Sequence, residues 1–267
     1  MIRDPVADFR AECDAITALV ARHFPKAGKG DWTAPTLFKA WTPADIFAHL
    51  HIWNEAAHLS LTDPEAFRAF VADALPRVAA RGHRGFGREW MAGRSGEGVF
   101  ETWRAFLPAM TDAFADADPE ARVEWAGPPM SARSSLVARQ MEHWAHTQAL
   151  HDLLGEPRIN TDRLHPIAEL GVRTYSFSHR IRGIEPPRPK PHVRLVAPSG
   201  SVWEWNEPQT ENRVEGPAED FCQVVTQCRN VGDTALVCTG ETAKRWMATA
   251  QCFAGAAEEP PGVGERG

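Results

Sequence analysis

The sequence is poor in the features that mark several common protein classes. Its five cysteines are an odd number and contain no CxxC pair, which argues against a disulfide framework or a cysteine-rich structural zinc site and for reduced thiols. No stretch approaches the ~18 apolar residues of a membrane-spanning helix. The first ten residues, MIRDPVADFR, mix two arginines with two aspartates and lack the apolar run of a secretory signal. Together these absences give a cytoplasmic expectation with no membrane partner. Basic charge is also in deficit: 29 Lys and Arg against 35 Asp and Glu leave a net charge of −6, so nothing global attracts nucleic acid. Tyrosine occurs once, against 10 tryptophans and 11 histidines. That histidine content makes metal or acid–base chemistry worth searching for.

The 267 residues correspond to about 1.8 average domains. The first half reads as helices. Phe9, Cys13, Ile16, Val20 and Phe24 recur at helical spacing. Thr42-Pro43 supplies an N-cap and an N1 proline for a helix over 44–61, and Asp63-Pro64 repeats the device. A Gly/Arg-rich stretch, 81–90, is expected to be a loop, and its arginines are candidates to meet an anionic substrate. Helix is expected again over 98–114, over 131–154 with Gly155 as the left-handed stop, and over 166–181. The proline run Pro186–Pro191 reads as a stiff linker. Beyond it, strands over 192–197 and 202–205 form a hairpin. A short helix is expected to end at Val225, a strand to cover 235–238 and a closing helix 241–253. Trp203 and Trp205 share parity and should pack on one sheet face, against that closing helix. The expected division is therefore a helical domain over 1–184, an α+β domain over 185–255 and a disordered tail over 256–267.

Helix phase sorts the histidines at about 100° per residue. On the 44–61 helix, His49 shares its side with Ile46, Leu50, Trp53 and Ala57. His51 lies about 200° away, beside Asn54, Glu55 and His58, on what reads as a surface face. On the 131–154 helix, Glu142 and His146 are four apart and share a face, with Arg139 within about 20° of His146 and able to hold a carboxylate there. His143 projects elsewhere. Spacing alone leaves duller readings open: an i,i+4 Glu–His pair is more often a helix-surface pair, and an inward histidine more often a core residue. Asp45 and Asn54 are candidates to support His49, although an N-cap turn and a surface face are their simpler roles. Trp53 and Trp144 flank the group as core or pocket wall.

Three segments, in order, carry a resemblance. Trp41-Thr42-Pro43-Ala44-Asp45-Ile46-Phe47-Ala48-His49-Leu50, Arg139-Gln140-Met141-Glu142-His143-Trp144-Ala145-His146, and the pieces Gly216–Phe221 and Ala250–Gly255 together resemble the DinB-like metal-binding superfamily, specifically its mycothiol-dependent maleylpyruvate isomerase branch. The resemblance implies a four-helix bundle followed by a small α+β, sterol-carrier-like domain. It implies a divalent metal, usually zinc, held by His49, Glu142 and His146, with an open coordination position as in catalytic sites. In that family an activated mycothiol thiol adds to a cis double bond of a small anionic substrate. The resulting single bond rotates, and elimination gives the trans isomer. An arginine of the second domain takes part in the characterised isomerases; Arg213 and Arg229 are the candidates here. Two alternatives remain open from sequence: a metal-dependent hydrolase or natural-product tailoring enzyme using water, and a non-catalytic small-molecule-binding metalloprotein. Oligomeric state is not legible.

Overall fold

The computed structural model describes residues 4–24 and 30–266. The chain divides into two compact units, one ending at Pro157 and the other beginning at Arg158.

In the first unit, proline and a capping side chain open three helices in succession. Asp4 caps α1 (Pro5–His23), Thr42 caps α2 (Pro43–Thr62) and Asp63 caps α3 (Pro64–Met91), each with proline in the first turn. Ser95 caps α4 (Gly96–Asp116), and Ser131 caps α5 (Ala132–Leu154), which ends at Gly155 with φ 63° as the sequence predicts. A two-residue ribbon, β1 (Arg122–Val123) with β2 (Met130–Ser131), leads antiparallel into α5. Helices α1, α5, α2 and α4 form the bundle, each packed on the next and α4 returning to α1, while α3 lies along α2. The core is aromatic: Phe9, Phe47 and Trp103 are fully buried, and Phe47 meets Trp103 and Phe100 with ring centroids 5.1 and 5.0 Å apart.

Two expectations change here. Helix α2 has no surface face along most of its length, because it is covered by α3, α4 and α5 at once. His51 and Asn54 are buried with the rest of it. The segment 81–90 is helix rather than loop. Gly82, at φ 70° and ψ 168°, interrupts α3 with a conformation that costs glycine little, and the chain then resumes helical geometry. The resumed turn is held down by Phe86, which is buried, and by Gly87, which lies against Ala48 of α2.

The second unit begins earlier than the proline run suggests. Helices α6 (His165–Arg173) and α7 (Tyr175–Arg180) replace the single helix expected over 166–181. α6 packs on α8 (Ala218–Val225), and α7 on α9 (Glu241–Thr249), so both belong to the α+β unit. The proline run is a bound segment inside it: Tyr175 donates its hydroxyl to the Pro187 carbonyl, and Gln209 and Asn206 donate to the carbonyls of Lys190 and Pro191. Strands β3 (His192–Val196) and β4 (Val202–Trp205) form the expected hairpin. β5 (Arg213–Pro217) runs parallel to β3 and antiparallel to β6 (Val237–Thr239), giving the order β4-β3-β5-β6. Trp203 and Trp205 pack on His165 of α6, at 4.8 and 5.4 Å, rather than on α9. Trp246 of α9 instead fills the core against Tyr175 and Phe221. The tail is ordered. The Glu258 and Pro261 carbonyls accept from Gln227 and Asn230, the Gly264 N–H donates to Asp233, and Arg266 reaches the Gln227 carbonyl. Among the described residues no helix is long and apolar enough to cross a membrane, and all five cysteines are free thiols.

Candidate functional site

One cluster of possible metal-binding side chains forms among the described residues, from His49 on α2 with Glu142 and His146 on α5. The two helices are neighbours in the bundle. His49 Nε2 lies 3.3 Å, and His146 Nε2 3.1 Å, from the same oxygen, Glu142 Oε2. The imidazole centroids are 4.6 Å apart. A tetrahedral ion with bonds of about 2.0–2.1 Å to nitrogen and oxygen spaces its ligands about 3.3 Å apart. Both nitrogen–oxygen separations are of that size, and all three donor atoms lie within 4.8 Å of one another, a grouping that could hold a divalent cation.

The surroundings set the protonation states that coordination requires. Burial and the adjacent His146 push the His49 imidazole down to about 3, so it is neutral at pH 7. For Glu142, burial works against ionisation. Hydrogen bonding to His146 and His49, together with the Arg139 charge, overcomes it and holds the carboxyl well below its ordinary range. Arg139 Nη2 stands 3.7 Å from Glu142 Oε1. Its guanidinium lies 5.2 Å over the Trp125 ring and is buried, with Nε and Nη1 lacking partners among the described residues. The Glu142 side chain retains 18% exposure.

Aromatic walls enclose it. The turn before α2 puts Lys39 and Ala40 at φ 49° and 55° and ties the Thr36 N–H to the Trp41 carbonyl and the Trp41 N–H to Phe38. Trp41 thereby stacks on His146, 5.6 Å away at 11°, and meets His49 edge-on at 5.4 Å, while Phe38 meets His146 at 5.0 Å. Trp53 is 6.5 Å from His49 and 5.9 Å from Trp125. His83, beyond the α3 break, has its ring 5.4 Å from that of His49. Sequence reasoning passed over Phe38, His83 and Trp125 and used Trp41 only as part of a motif. The aromatic positions carried no signal beyond being aromatic, and His83 sat in a stretch read as loop.

The remaining candidates have other contacts. Asp45 completes a capping box with Thr42 and takes Arg84 and Arg88 at 2.9 and 2.8 Å. It organises the start of α2, and these arginines are committed to it. Arg77 and Arg81 are likewise paired with Glu89, so the arginines of this segment are engaged within the fold. Asn54 donates to His143 Nε2 at 3.2 Å rather than supporting His49. His143 is a fully buried core residue, and Trp144 is buried as well. Arg213 pairs with Glu215 in the second unit, where Arg229 donates to the Cys228 carbonyl.

A helical bundle whose interior presents two imidazoles and one carboxylate from adjacent helices defines a class of carboxylate–histidine bundle proteins. Within that class the chain belongs to the mycothiol maleylpyruvate isomerase N-terminal domain family, whose profile matches residues 9–151. It is 38% identical over 259 residues to the uncharacterized proteins MT0041 and Rv0036c of two Mycobacterium tuberculosis strains, covering 97% of this chain and 97% of each relative. The fold also matches a crystal structure of the mycothiol-dependent maleylpyruvate isomerase, with TM-score 0.54 and 15% identity over 96% of this chain and 95% of that one. A histidine-to-alanine mutant of that enzyme gives TM-score 0.55 and 14% identity at the same coverage.

Proposed function

We propose that this protein is a divalent-metal-dependent enzyme in which His49, Glu142 and His146 hold the ion, with zinc the natural occupant, and in which mycothiol or a related small thiol is the nucleophile. Its substrate is a small, anionic electrophile of the kind that maleylpyruvate represents. The observation that carries this reading is the convergence of two imidazole nitrogens on one carboxylate oxygen at 3.1 and 3.3 Å. A divalent ion bound there would supply Lewis acidity that lowers the pKa of a coordinated thiol or water.

The chain's own residues support the rest of the chemistry. Neutral His49 and anionic Glu142 bring a single negative charge to a dication, leaving net positive charge to attract a thiolate or carboxylate. Three protein donors are a catalytic complement rather than a closed structural one. Trp41 and Phe38 pack beside the imidazoles, fix their rotamers and keep water from one side. Arg139 holds the carboxylate edge of Glu142. The first unit supplies no reactive thiol of its own: Cys13 is the sole cysteine before residue 222 and is buried in the bundle core, where desolvation raises its pKa well above the usual thiol value, which favours a cosubstrate as the source of the nucleophilic sulfur.

The test is a titration of cobalt(II)-substituted protein with mycothiol. Thiol chemistry predicts a new sulfur-to-cobalt charge-transfer band in the near ultraviolet that saturates with thiol. An unaltered spectrum would move the assignment to metal-dependent hydrolysis.

A further inference from the structure

The α3 break has a consequence beyond the three-residue cluster. Gly82 leaves helical geometry for one residue, at φ 70° and ψ 168°. The next residue, His83, is exposed, yet its ring stands edge-on to His49, with centroids 5.4 Å apart at 85°, and 5.6 Å from Trp53. An unbroken α3 would carry its residues past this point in a different phase. The break thus brings a third imidazole to the cluster from a helix that supplies none of the other donors. Two imidazoles bound through Nε2 to one tetrahedral ion have centroids about 5 Å apart, given metal–nitrogen bonds of about 2.0–2.1 Å. The His49–His83 separation is of that size. His83 is not among the side chains whose donor atoms already lie within 4.8 Å of one another, so it must change rotamer to join them.

We propose that His83 is the fourth protein ligand of the metal when no substrate is bound, closing a His49–His83–Glu142–His146 set. This inference rests on the metal reading above and adds to it a resting state with three imidazoles and one carboxylate. A small ligand entering the site would replace His83, the one member held outside the pre-formed triad and the most exposed of the four.

The test uses full-length protein, cobalt(II) and zinc(II), with no thiol or substrate. Competition against a chromophoric chelator gives affinities, and the cobalt visible bands report coordination number and donor type. His83→Ala and His83→Gln should both shift those bands as imidazole is replaced by water. Both should also weaken cobalt and zinc binding about tenfold or more, with the far-ultraviolet circular dichroism of the metal-free proteins unchanged. Wild-type affinity and an identical cobalt spectrum in both variants would overturn the fourth-ligand assignment while leaving the three-residue site intact. Failure of the wild-type protein to take up either ion would overturn the metal reading, and this inference with it.

Discussion

Trp103 on α4 donates its indole N–H to His143 Nε2 on α5 at 3.0 Å, in the centre of the bundle. The opposite nitrogen of the same ring is 2.7 Å from the Arg139 carbonyl. A carbonyl only accepts and an indole only donates, so His143 is the Nδ1–H tautomer. Burial pushes its pKa down to about 3 and keeps it neutral. Three residues along the helix, His146 faces Glu142 and His49 instead. Two histidines within one turn of helix therefore have different surroundings.

Trp103→Phe should cost about 0.5–1.5 kcal/mol in urea unfolding, because it removes one of the two donors to the buried His143 acceptor and leaves Asn54 as the other. Zinc stoichiometry should stay at the wild-type value. Loss of zinc in a still-folded Trp103→Phe protein would place His143 in the metal site.

Asp45 gives a second stability prediction. Burial alone would raise its carboxyl. The hydrogen bonds from Arg88, the Thr42 N–H and Arg84 outweigh burial and bring it below its ordinary value of 3.8. A folded-state pKa below the unfolded one stabilises the protein above the unfolded value, and that stabilisation is lost as pH falls through the folded value. Asp45→Ala should cost about 2 kcal/mol at pH 7, through the lost cap and the unpaired arginines. The difference from wild type should shrink below about pH 4, as read from denaturation midpoints between pH 3 and 7. A difference that grows on acidification would contradict the assignment.

Gly82→Ala should lower stability by about 1–2 kcal/mol, since φ 70° strains any residue with a Cβ. Nothing lies within 4 Å of the added carbon, so the cost is conformational alone. Thermal melts of the two proteins measure it, and an unchanged melting temperature would mean that the break is not maintained.

Arg139→Gln removes the charge beside Glu142 while leaving all three donors. Zinc affinity should fall by about 10–100-fold, measured by chelator competition. Undiminished affinity would show that Arg139 does not support the Glu142 carboxylate.

Much of the helical half was legible because its signals are local. Thr42-Pro43, Asp63-Pro64 and Gly155 are punctuation that acts on the backbone wherever it occurs. The pairing of Glu142 with His146 follows from 100° per residue, and the inward phase of His49 from its apolar neighbours. What could not be read depended on a third partner. His51 and Asn54 look like a surface pair until α3 and α4 cover that side of α2. Glycines 82, 85 and 87 suggest a loop, yet Asp45 gathers Arg84 and Arg88 at helical spacing and Phe86 buries itself. Strand β5 pairs in parallel with β3, a contact that no turn between them announces. The tail reads as Pro/Gly-rich and unstructured, and its order comes from side chains more than twenty residues away, at Gln227, Asn230 and Asp233.

The central claim is that His49, Glu142 and His146 hold a divalent ion, and metal analysis of purified protein tests it most directly. Wild-type protein dialysed against trace zinc should retain about one ion per chain, while folded Glu142→Gln and His146→Ala proteins should retain almost none, as expected for the loss of a member of the pre-formed triad. Equal zinc content in all three proteins, or none in the wild type, would contradict the account.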